Sequence, residues 1–516
     1  MVDEFKKRKN VRTGLLEEKL QELKTRLGEI KDLQAAASVL EWDQMTYMPP
    51  GGTAARAEQL ATLRKMAHAL FVSDEIGHLL EELEAEVADL GYDSDEASLV
   101  RVTARDYEQE RKIPDWLVAE IAKVAALAHE AWTQARAESN YPHFQPHLQK
   151  IVDLNIQMAE ALGYQDRIYD ALLDLFEPEM KTAQVARIFD DLKAELVPLV
   201  RAIAEKKDAV DDTVLYRDYD EEKQWAFGQE VLHQMGFDFE RGRQDKSVHP
   251  FTTSFSPHDV RLTTRVYRNQ FKTALFGSVH EGGHALYEQA LNPVLERTPL
   301  CDGASLGVHE SQSRLWENVV GRSQGFWAFY FPRLKEFFPE QLDGVDPKAF
   351  YRAINKVEPS MIRVEADEVT YNLHIFLRFE IENDMLEGKV RLSDLPEAWN
   401  AKMKAYLGIV PANDAEGVLQ DVHWSMGTIG YFPTYALGTL LSVQFYNQAL
   451  TEIPEIPAQI ARGEFAPLRT WLNERIHIYG KKFTPAELVK RVTGSDLSAR
   501  PFVEYAKAKY GDIYGL

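Results

Sequence analysis

The pentapeptide His280-Glu281-Gly282-Gly283-His284 constrains this chain more than any other stretch. Its apolar surroundings favour a helix, in which residues four positions apart share a face. Two imidazoles on one face can hold a zinc ion, while the glutamate between them can deprotonate a water molecule without binding the metal. Chance also produces this pattern in some chains. The paired glycines argue for a functional helix whose backbone lies close to a substrate or a neighbouring strand, because each costs a helix about 1 kcal/mol relative to alanine.

A catalytic zinc needs a third protein ligand and an open coordination position. Glu310 is the predicted ligand, because the separation from His284 allows one helix to end and a second helix to pass the metal. His309 is an alternative donor. Glu288 extends the face that carries His284, but we expect it to point past the metal. Glu317 would share the Glu310 face and could fix an imidazole N–H, as metal sites usually require.

Within 361–367, Arg363 is the one arginine, and it falls in a helix predicted over 359–387 on its apolar periodicity. An arginine can grip a carboxylate through two parallel N–H bonds. The competing interpretation is a salt bridge to Glu365 or Asp367.

Two aromatic segments follow, at 417–424 (GVLQDVHW) and 430–435 (GYFPTY). A tyrosine hydroxyl or a histidine N–H can stabilise the oxyanion that forms when a peptide carbonyl is attacked. Packing of an aromatic loop would explain the same residues without chemistry.

Helical periodicity runs through most of the chain, and no Gly/Ser-rich linker separates autonomous domains. We therefore expect one large, mainly α-helical body that could divide into two lobes. The strand candidate is 246–268, which predicts a sheet of two or three strands immediately before the pentapeptide. Helices are predicted at 14–40, 53–71, 74–90, 95–136 with a break at Ile113-Pro114, 145–162, 182–206, 220–235, 266–291, 307–330, 347–357, 433–449 and within 455–510.

Composition excludes several classes of partner. Lysine and arginine number 59 against 81 acidic residues, a net charge of −22, which argues against nucleic acids and anionic membranes. No run approaches 18 apolar residues and the N-terminus has no apolar signal sequence, so we expect neither a membrane span nor secretion. Cys301 is the only cysteine, so an intrachain disulfide is impossible and a cytoplasmic, reducing compartment is expected.

Six motifs occur together in one order, and the set resembles the carboxypeptidase Taq family of metallocarboxypeptidases. The set is far more specific than the pentapeptide alone, and the early EWDQMTYMP and late GYFPTYALG segments fit it too. The motifs are HPF (249–251), DVRLT (259–263), HEGGH (280–284), HESQ (309–312), IRVEAD (362–367) and GVLQDVHW (417–424).

The resemblance implies a mainly α fold similar to neurolysin and angiotensin-converting enzyme, with a deep substrate groove and a small sheet beside the helix that carries residues 280–284. It implies a single catalytic domain over 1–516 and a homodimer. The implied activity is release of C-terminal residues from peptides with broad side-chain tolerance and little action at proline.

The family motifs also imply roles for individual residues, with one divalent metal per chain. Zinc suits the ligands, and cobalt would fit them too. Which tyrosine stabilises the oxyanion stays open. The implied metal ligands are His280, His284 and Glu310; the catalytic residues are Glu281 as general base with Tyr431, Tyr435 and His423 as oxyanion candidates; and the substrate-binding residues are Arg363 and Gln420.

Two other interpretations remain. An oligopeptidase or a dipeptidyl carboxypeptidase would share the metal site and differ in where it holds the substrate's C-terminus. A helical scaffold with a structural metal site is disfavoured, because such a site needs no general base. Structural zinc sites also usually close with a fourth ligand, often cysteine, and Cys301 is the only one.

Overall fold

The computed structural model describes the backbone of residues 2–516 and the side chains of residues 14–516. The first four helices bury a hydrophobic cluster of their own, joined by Leu295 and Leu300 from later in the chain. The apolar periodicity of the first helix supplies one side of it, with Leu23 and Leu27 almost fully buried. These helices are α1 (Val2–Thr46), α2 (Thr53–Phe71), α3 (Asp74–Val87) and α4 (Asp95–Lys112).

A second, larger hydrophobic cluster forms the core of the remaining residues, and most of its members lie on helices. Along the described backbone, no helix combines the length and apolarity that a membrane crossing requires. The remaining helices are α5 (Asp115–Glu138), α6 (Tyr141–Leu162), α7 (Ile168–Leu173), α8 (Thr182–Ala204), α9 (Glu221–Met235), α10 (Phe271–Ala290), α11 (Leu306–Arg314), α12 (Gln324–Phe337), α13 (Pro347–Ile354), α14 (Thr370–Leu386), α15 (Leu395–Leu407), α16 (Pro433–Glu452), α17 (Ile456–Ile460), α18 (Ala466–Arg475), α19 (Pro485–Thr493) and α20 (Arg500–Tyr514).

The sheet has three strands, β1 (Gly242–Lys246), β2 (Thr252–Ser256) and β3 (Asp259–Thr264). Their order is β1-β3-β2, with β1 parallel and β2 antiparallel to the central β3. The sheet packs against α10, because β3 turns Val260 and Leu262 into the core. The predicted mainly α fold with a small sheet beside this helix is confirmed, although β1 lies almost wholly before the predicted range.

The two glycines of α10 allow close packing of helices. A Cβ added to Gly283 would lie 2.6 Å from both the carbonyl oxygen of Gln312 and Cα of Ser313, in the backbone of α11. A Cβ on Gly282 would overlap the side chain of Leu232 in α9. The expected close approach is therefore present, but to two neighbouring helices and not to a strand.

Two predicted helices have different limits. The helix predicted from 359 begins at Thr370, because Asp367 accepts hydrogen bonds from the backbone N–H groups of Val369 and Thr370, both at 2.9 Å. Arg363 consequently lies in a 3-10 turn before α14 and not on a helix. The helix predicted over 307–330 is interrupted: α11 passes into a π-helix at Leu315–Val320 and a new helix follows.

Candidate active site

Three side chains converge where α10 packs against α11. His280 and His284 project from α10 and Glu310 from α11, with one donor atom of each within 4.8 Å of the others. Nε2 lies 3.7 Å from Glu310 Oε2 in His280 and 3.4 Å in His284. Tetrahedral zinc, with ligands at about 2.0–2.1 Å, separates its ligand atoms by about 3.3 Å. The three residues therefore fit a metal ion with little adjustment.

The other ring nitrogen of each histidine is held by a partner. Nδ1 of His280 lies 2.9 Å from Glu317 Oε2, the contact anticipated from the sequence. Nδ1 of His284 lies 2.6 Å from Nδ1 of His309, whose Nε2 is 2.6 Å from Glu288 Oε1. If Nε2 of each histidine binds a metal, Nδ1 carries the proton and donates it. His309 and Glu288 thus lie behind His284 and away from the converging donor atoms.

The charge of the donor set suits a divalent cation. Burial raises the pKa of Glu310, but Arg314 and His280 outweigh that effect and hold it well below its usual range. Arg314 donates to Glu310 Oε1 from Nε at 2.7 Å. Burial lowers the pKa of the His284 ring to about 3. The cluster therefore offers a carboxylate together with a neutral imidazole.

Glu281 lies on another face of α10 and does not join the converging donor atoms. Its side chain is buried, and Oε2 accepts a hydrogen bond of 2.8 Å from the Thr252 hydroxyl on β2. Burial raises the pKa of Glu281, although His280 and Thr252 oppose the rise. A raised pKa makes a carboxylate a better proton acceptor near neutral pH.

Arg363 forms an ion pair, but with neither of the two acids considered from the sequence. Its Nε and NH2 lie 2.9 and 2.8 Å from Oδ1 of Asp421, so the alternatives Glu365 and Asp367 are wrong. Its NH1 donates to the Tyr371 hydroxyl at 2.6 Å. A guanidinium has five N–H donors. Three have partners among the described residues, so each terminal nitrogen has one N–H left without a partner there.

Gln420 holds this region together from within the protein. Its Oε1 accepts from the backbone N–H of Arg363 at 2.9 Å and from NH2 of Arg378 at 2.8 Å. Its Nε2 donates to the carbonyl oxygens of Met361 and Glu416. Direct binding of substrate by Gln420 stays a prediction, but its amide atoms already have protein partners.

Aromatic rings connect the three converging side chains to Arg363. The Arg314 guanidinium lies 4.4 Å from the Tyr371 ring centroid, and Tyr371 is the ring whose hydroxyl contacts Arg363. The Tyr435 ring lies 5.0 Å from the Arg363 guanidinium and 5.3 Å from the Tyr431 ring.

Both tyrosines near Arg363 are available as neutral donors. Burial raises the pKa of Tyr431 to about 12 and holds that of Tyr435 well above its usual value, so both hydroxyls keep their protons. His423 Nε2 lies 3.2 Å from the Tyr435 hydroxyl, and burial lowers the pKa of His423 to about 4. The two aromatic segments, which packing alone could also have explained, therefore place polar groups beside Arg363.

Comparison with known proteins agrees with this geometry. The family model for the carboxypeptidase Taq (M32) metallopeptidases matches residues 22–510. The chain belongs to this family. Carboxypeptidase 1 of Bacillus subtilis is 40% identical over 95% of this chain and 97% of its own length, and thermostable carboxypeptidase 1 of Thermus thermophilus is 43% identical over 94% and 96%. The M32 carboxypeptidase from Deinococcus radiodurans is 41% identical with a TM-score of 0.94, over 97% of this chain and 100% of that one.

The protein is therefore a metallocarboxypeptidase, and the predicted family and activity are confirmed. Sequence reasoning about this carboxypeptidase missed Thr252, Tyr371 and Arg378. Arg378 carried a usable signal, because an arginine within the apolar run of α14 needs a buried partner. The part played by Glu288 was also missed, since only the fold brings His309 to it.

Proposed function

We propose that this metallocarboxypeptidase removes single residues from the C-terminus of peptides, with His280, His284 and Glu310 as its metal ligands. The observation that carries the proposal is the position of Arg363. One tyrosine ring, that of Tyr371, separates it from the arginine that supports Glu310. A cation so near the ligands suits a substrate whose terminal carboxylate lies one residue beyond the bond that is cut.

A divalent metal at these ligands, zinc or alternatively cobalt, would supply Lewis-acid polarisation of the attacking water and of the scissile carbonyl. Glu281 takes the proton of the attacking water and passes it to the leaving amine. Thr252 orients the Glu281 carboxylate through its hydroxyl. Tyr435, Tyr431 and His423 are the neutral donors available to the developing oxyanion. Tyr435 is favoured among them, because it contacts His423 and lies over Arg363.

The terminal carboxylate binds Arg363 through the two N–H groups that have no partner among the described residues. Burying a carboxylate without a cation would be costly, so an exopeptidase of this kind needs such a group. Asp421 and Tyr371 hold the guanidinium in one orientation. Gln420 contributes by bonding the backbone of Arg363.

The substrate backbone pairs with β2, an outer strand of the sheet that carries Thr252 beside Glu281. Residues 1–516 act as one catalytic domain whose two hydrophobic clusters form two lobes. We also propose a homodimer, supported by family membership, and a cytoplasmic location, supported by the single cysteine, Cys301. Light scattering on the purified protein tests the dimer.

The deciding experiment is a mass spectrum of one unblocked model peptide after incubation, with and without a chelator. A ladder that shortens by one residue at a time, and is abolished by the chelator, is expected. Loss of residues in pairs, or internal cleavage, would instead favour a dipeptidyl carboxypeptidase or an oligopeptidase. A metal-loaded protein that leaves the peptide intact would support the scaffold interpretation.

A further inference from the structure

Arg378 is a second arginine beside Arg363, and the proposed function gives it no role. It lies in α14, and its side chain is completely buried. Its Nε donates to Asp421 Oδ2 at 2.7 Å, its NH1 to the carbonyl of His374 at 2.7 Å, and its NH2 to Gln420 Oε1 at 2.8 Å. Because burying a guanidinium is expensive, packing alone would be served better by an apolar side chain.

Asp421 is shared between the two arginines. Its Oδ1 faces Arg363 at 2.8 Å, and its Oδ2 faces NH2 of Arg378 at 2.5 Å. Two guanidinium groups and one carboxylate leave the trio with a net charge of +1. If Arg363 and Asp421 were alone, the pair would be neutral and would attract an incoming carboxylate only weakly. Charge balance matters most where water is excluded, and all three side chains are at least nine-tenths buried.

Among the described residues, Asp421 is the one carboxylate in contact with either arginine. His374 and His423 are neutral, since burial lowers the pKa of both rings, that of His423 to about 4. Tyr435 keeps its proton because burial raises its pKa. Glu382, one turn further along α14, forms no ion pair with either arginine among the described side chains; its carboxylate accepts hydrogen bonds from Tyr169, Trp424 and the Gly430 N–H. The trio therefore lacks one negative charge.

We propose that Arg378 is a positioning residue that sets the charge of the carboxylate subsite. By sharing Asp421, it leaves Arg363 with one uncompensated positive charge, which the C-terminal carboxylate of the peptide neutralises. This inference rests on the proposed role of Arg363. Arg378 itself touches no substrate, because all sides of its guanidinium are covered by protein and its face lies 4.6 Å from the Trp399 ring centroid.

The test measures competitive inhibition of the metal-loaded enzyme by N-acetylphenylalanine and by its amide. Arg378→Met should weaken binding of the acid about 10- to 100-fold and that of the amide less than about 3-fold, because only the acid needs the missing charge. Arg378→Lys keeps the charge and should retain most of the preference for the acid. Circular dichroism and metal content establish that each variant is folded and loaded.

A compensating change separates charge balance from packing. Arg378→Met combined with Asp421→Asn restores the net charge of +1, because one positive and one negative charge are removed together. The asparagine oxygen can still accept a hydrogen bond from Arg363. This double variant should bind the acid at least about 5-fold more tightly than Arg378→Met alone. Arg167→Gln is the control: it breaks an ion pair with Glu387 away from the trio and should leave the acid-to-amide ratio unchanged.

Equal losses for acid and amide in Arg378→Met, or a double variant that is no better than the single one, would overturn the inference. If Arg378→Met does not fold, the comparison of Arg378→Lys and the double variant with the wild type decides. A wild-type enzyme that binds the amide as well as the acid would refute a different claim, the proposed role of Arg363.

Discussion

At the scale of single residues, neighbouring carboxylates in this enzyme have opposite environments. Glu310 is held by Arg314, which keeps its pKa low and its charge available for a metal. Glu281 accepts a hydrogen bond from the neutral Thr252 hydroxyl, and burial raises its pKa. Opposed pKa shifts in one site are the usual mark of groups with different chemical tasks.

Replacing Glu281 separates proton transfer from metal binding. Glu281→Gln should retain the metal, because the proposed ligands are untouched, and lose about 10²- to 10⁴-fold in kcat, because the proton acceptor is gone. Elemental analysis after dialysis and the rate of peptide hydrolysis provide the two readouts. Loss of the metal from the purified variant would mean that Glu281 is a ligand or supports one.

Removing His309 tests the partner of His284. His309→Ala should weaken metal binding about 10- to 100-fold, because Nδ1 of His284 then loses the contact that fixes its ring. Competition with a metal-binding dye measures the affinity. His143→Ala, at an exposed position on α6, is the matched control and should leave the affinity unchanged. Equal affinities in His309→Ala and the control would show that His284 is oriented by other contacts.

At the scale of elements, the site depends on how closely α10, α11 and α16 approach one another. Gly283 lets α10 lie on the backbone of α11, and Gly438 of α16 leaves space for the Glu310 side chain. Gly283 thus sets the distance between α10 and α11, and Gly438 sets the distance between α16 and the Glu310 side chain. The spacing of these helices fixes where Glu310, the proposed third ligand, lies.

Replacing Gly283 with a larger residue should therefore lower both the stability of the fold and the affinity for the metal. Gly283→Ala should lower the free energy of unfolding by about 1–3 kcal/mol, because its new methyl meets backbone that cannot move aside. It should also weaken metal binding. Gly511→Ala in α20, where nothing lies within 4 Å of an added Cβ, should be neutral or stabilising. Denaturant unfolding compares the two, and a Gly283→Ala enzyme as stable as wild type would contradict this account.

The sequence predicted these elements unevenly, for physical reasons. The helix of His280 and His284 was predicted because its surroundings are apolar, and a helix places these two histidines on one face. The start of α14 was predicted too early, because apolar periodicity continues through Met361 and Val364 while Asp367 bonds the backbone at the true start. Glu317 was predicted to support a ligand from spacing alone. Asp421 was not predicted as the partner of Arg363, since their contact spans two elements that only the fold joins.

At the scale of the whole molecule, metal binding should stabilise the fold, because the proposed ligands join α10 to α11 inside the larger hydrophobic cluster. A metal present at 100 to 1,000 times its dissociation constant would contribute about 2.7–4.1 kcal/mol. Chelation should therefore lower the melting temperature, and added zinc should restore it. Differential scanning calorimetry measures the shift.

Glu310→Ala provides the control for that experiment. It should melt at the same temperature with and without zinc, because the ligand set is incomplete. A fully metal-loaded wild-type enzyme whose melting temperature is unchanged by chelator would contradict the proposed stabilisation.

The residues around the proposed metal site come from distant parts of the chain, from Thr252 on β2 to Tyr435 on α16. During synthesis a ribosome must therefore release the segment from β2 to α16 before these groups can meet. A chain that stops before Arg363 carries the HEGGH helix without Arg363, Asp421 or the tyrosines, and so lacks groups that we propose for substrate binding. The order of the elements thus delays the proposed activity until α16 has been synthesised.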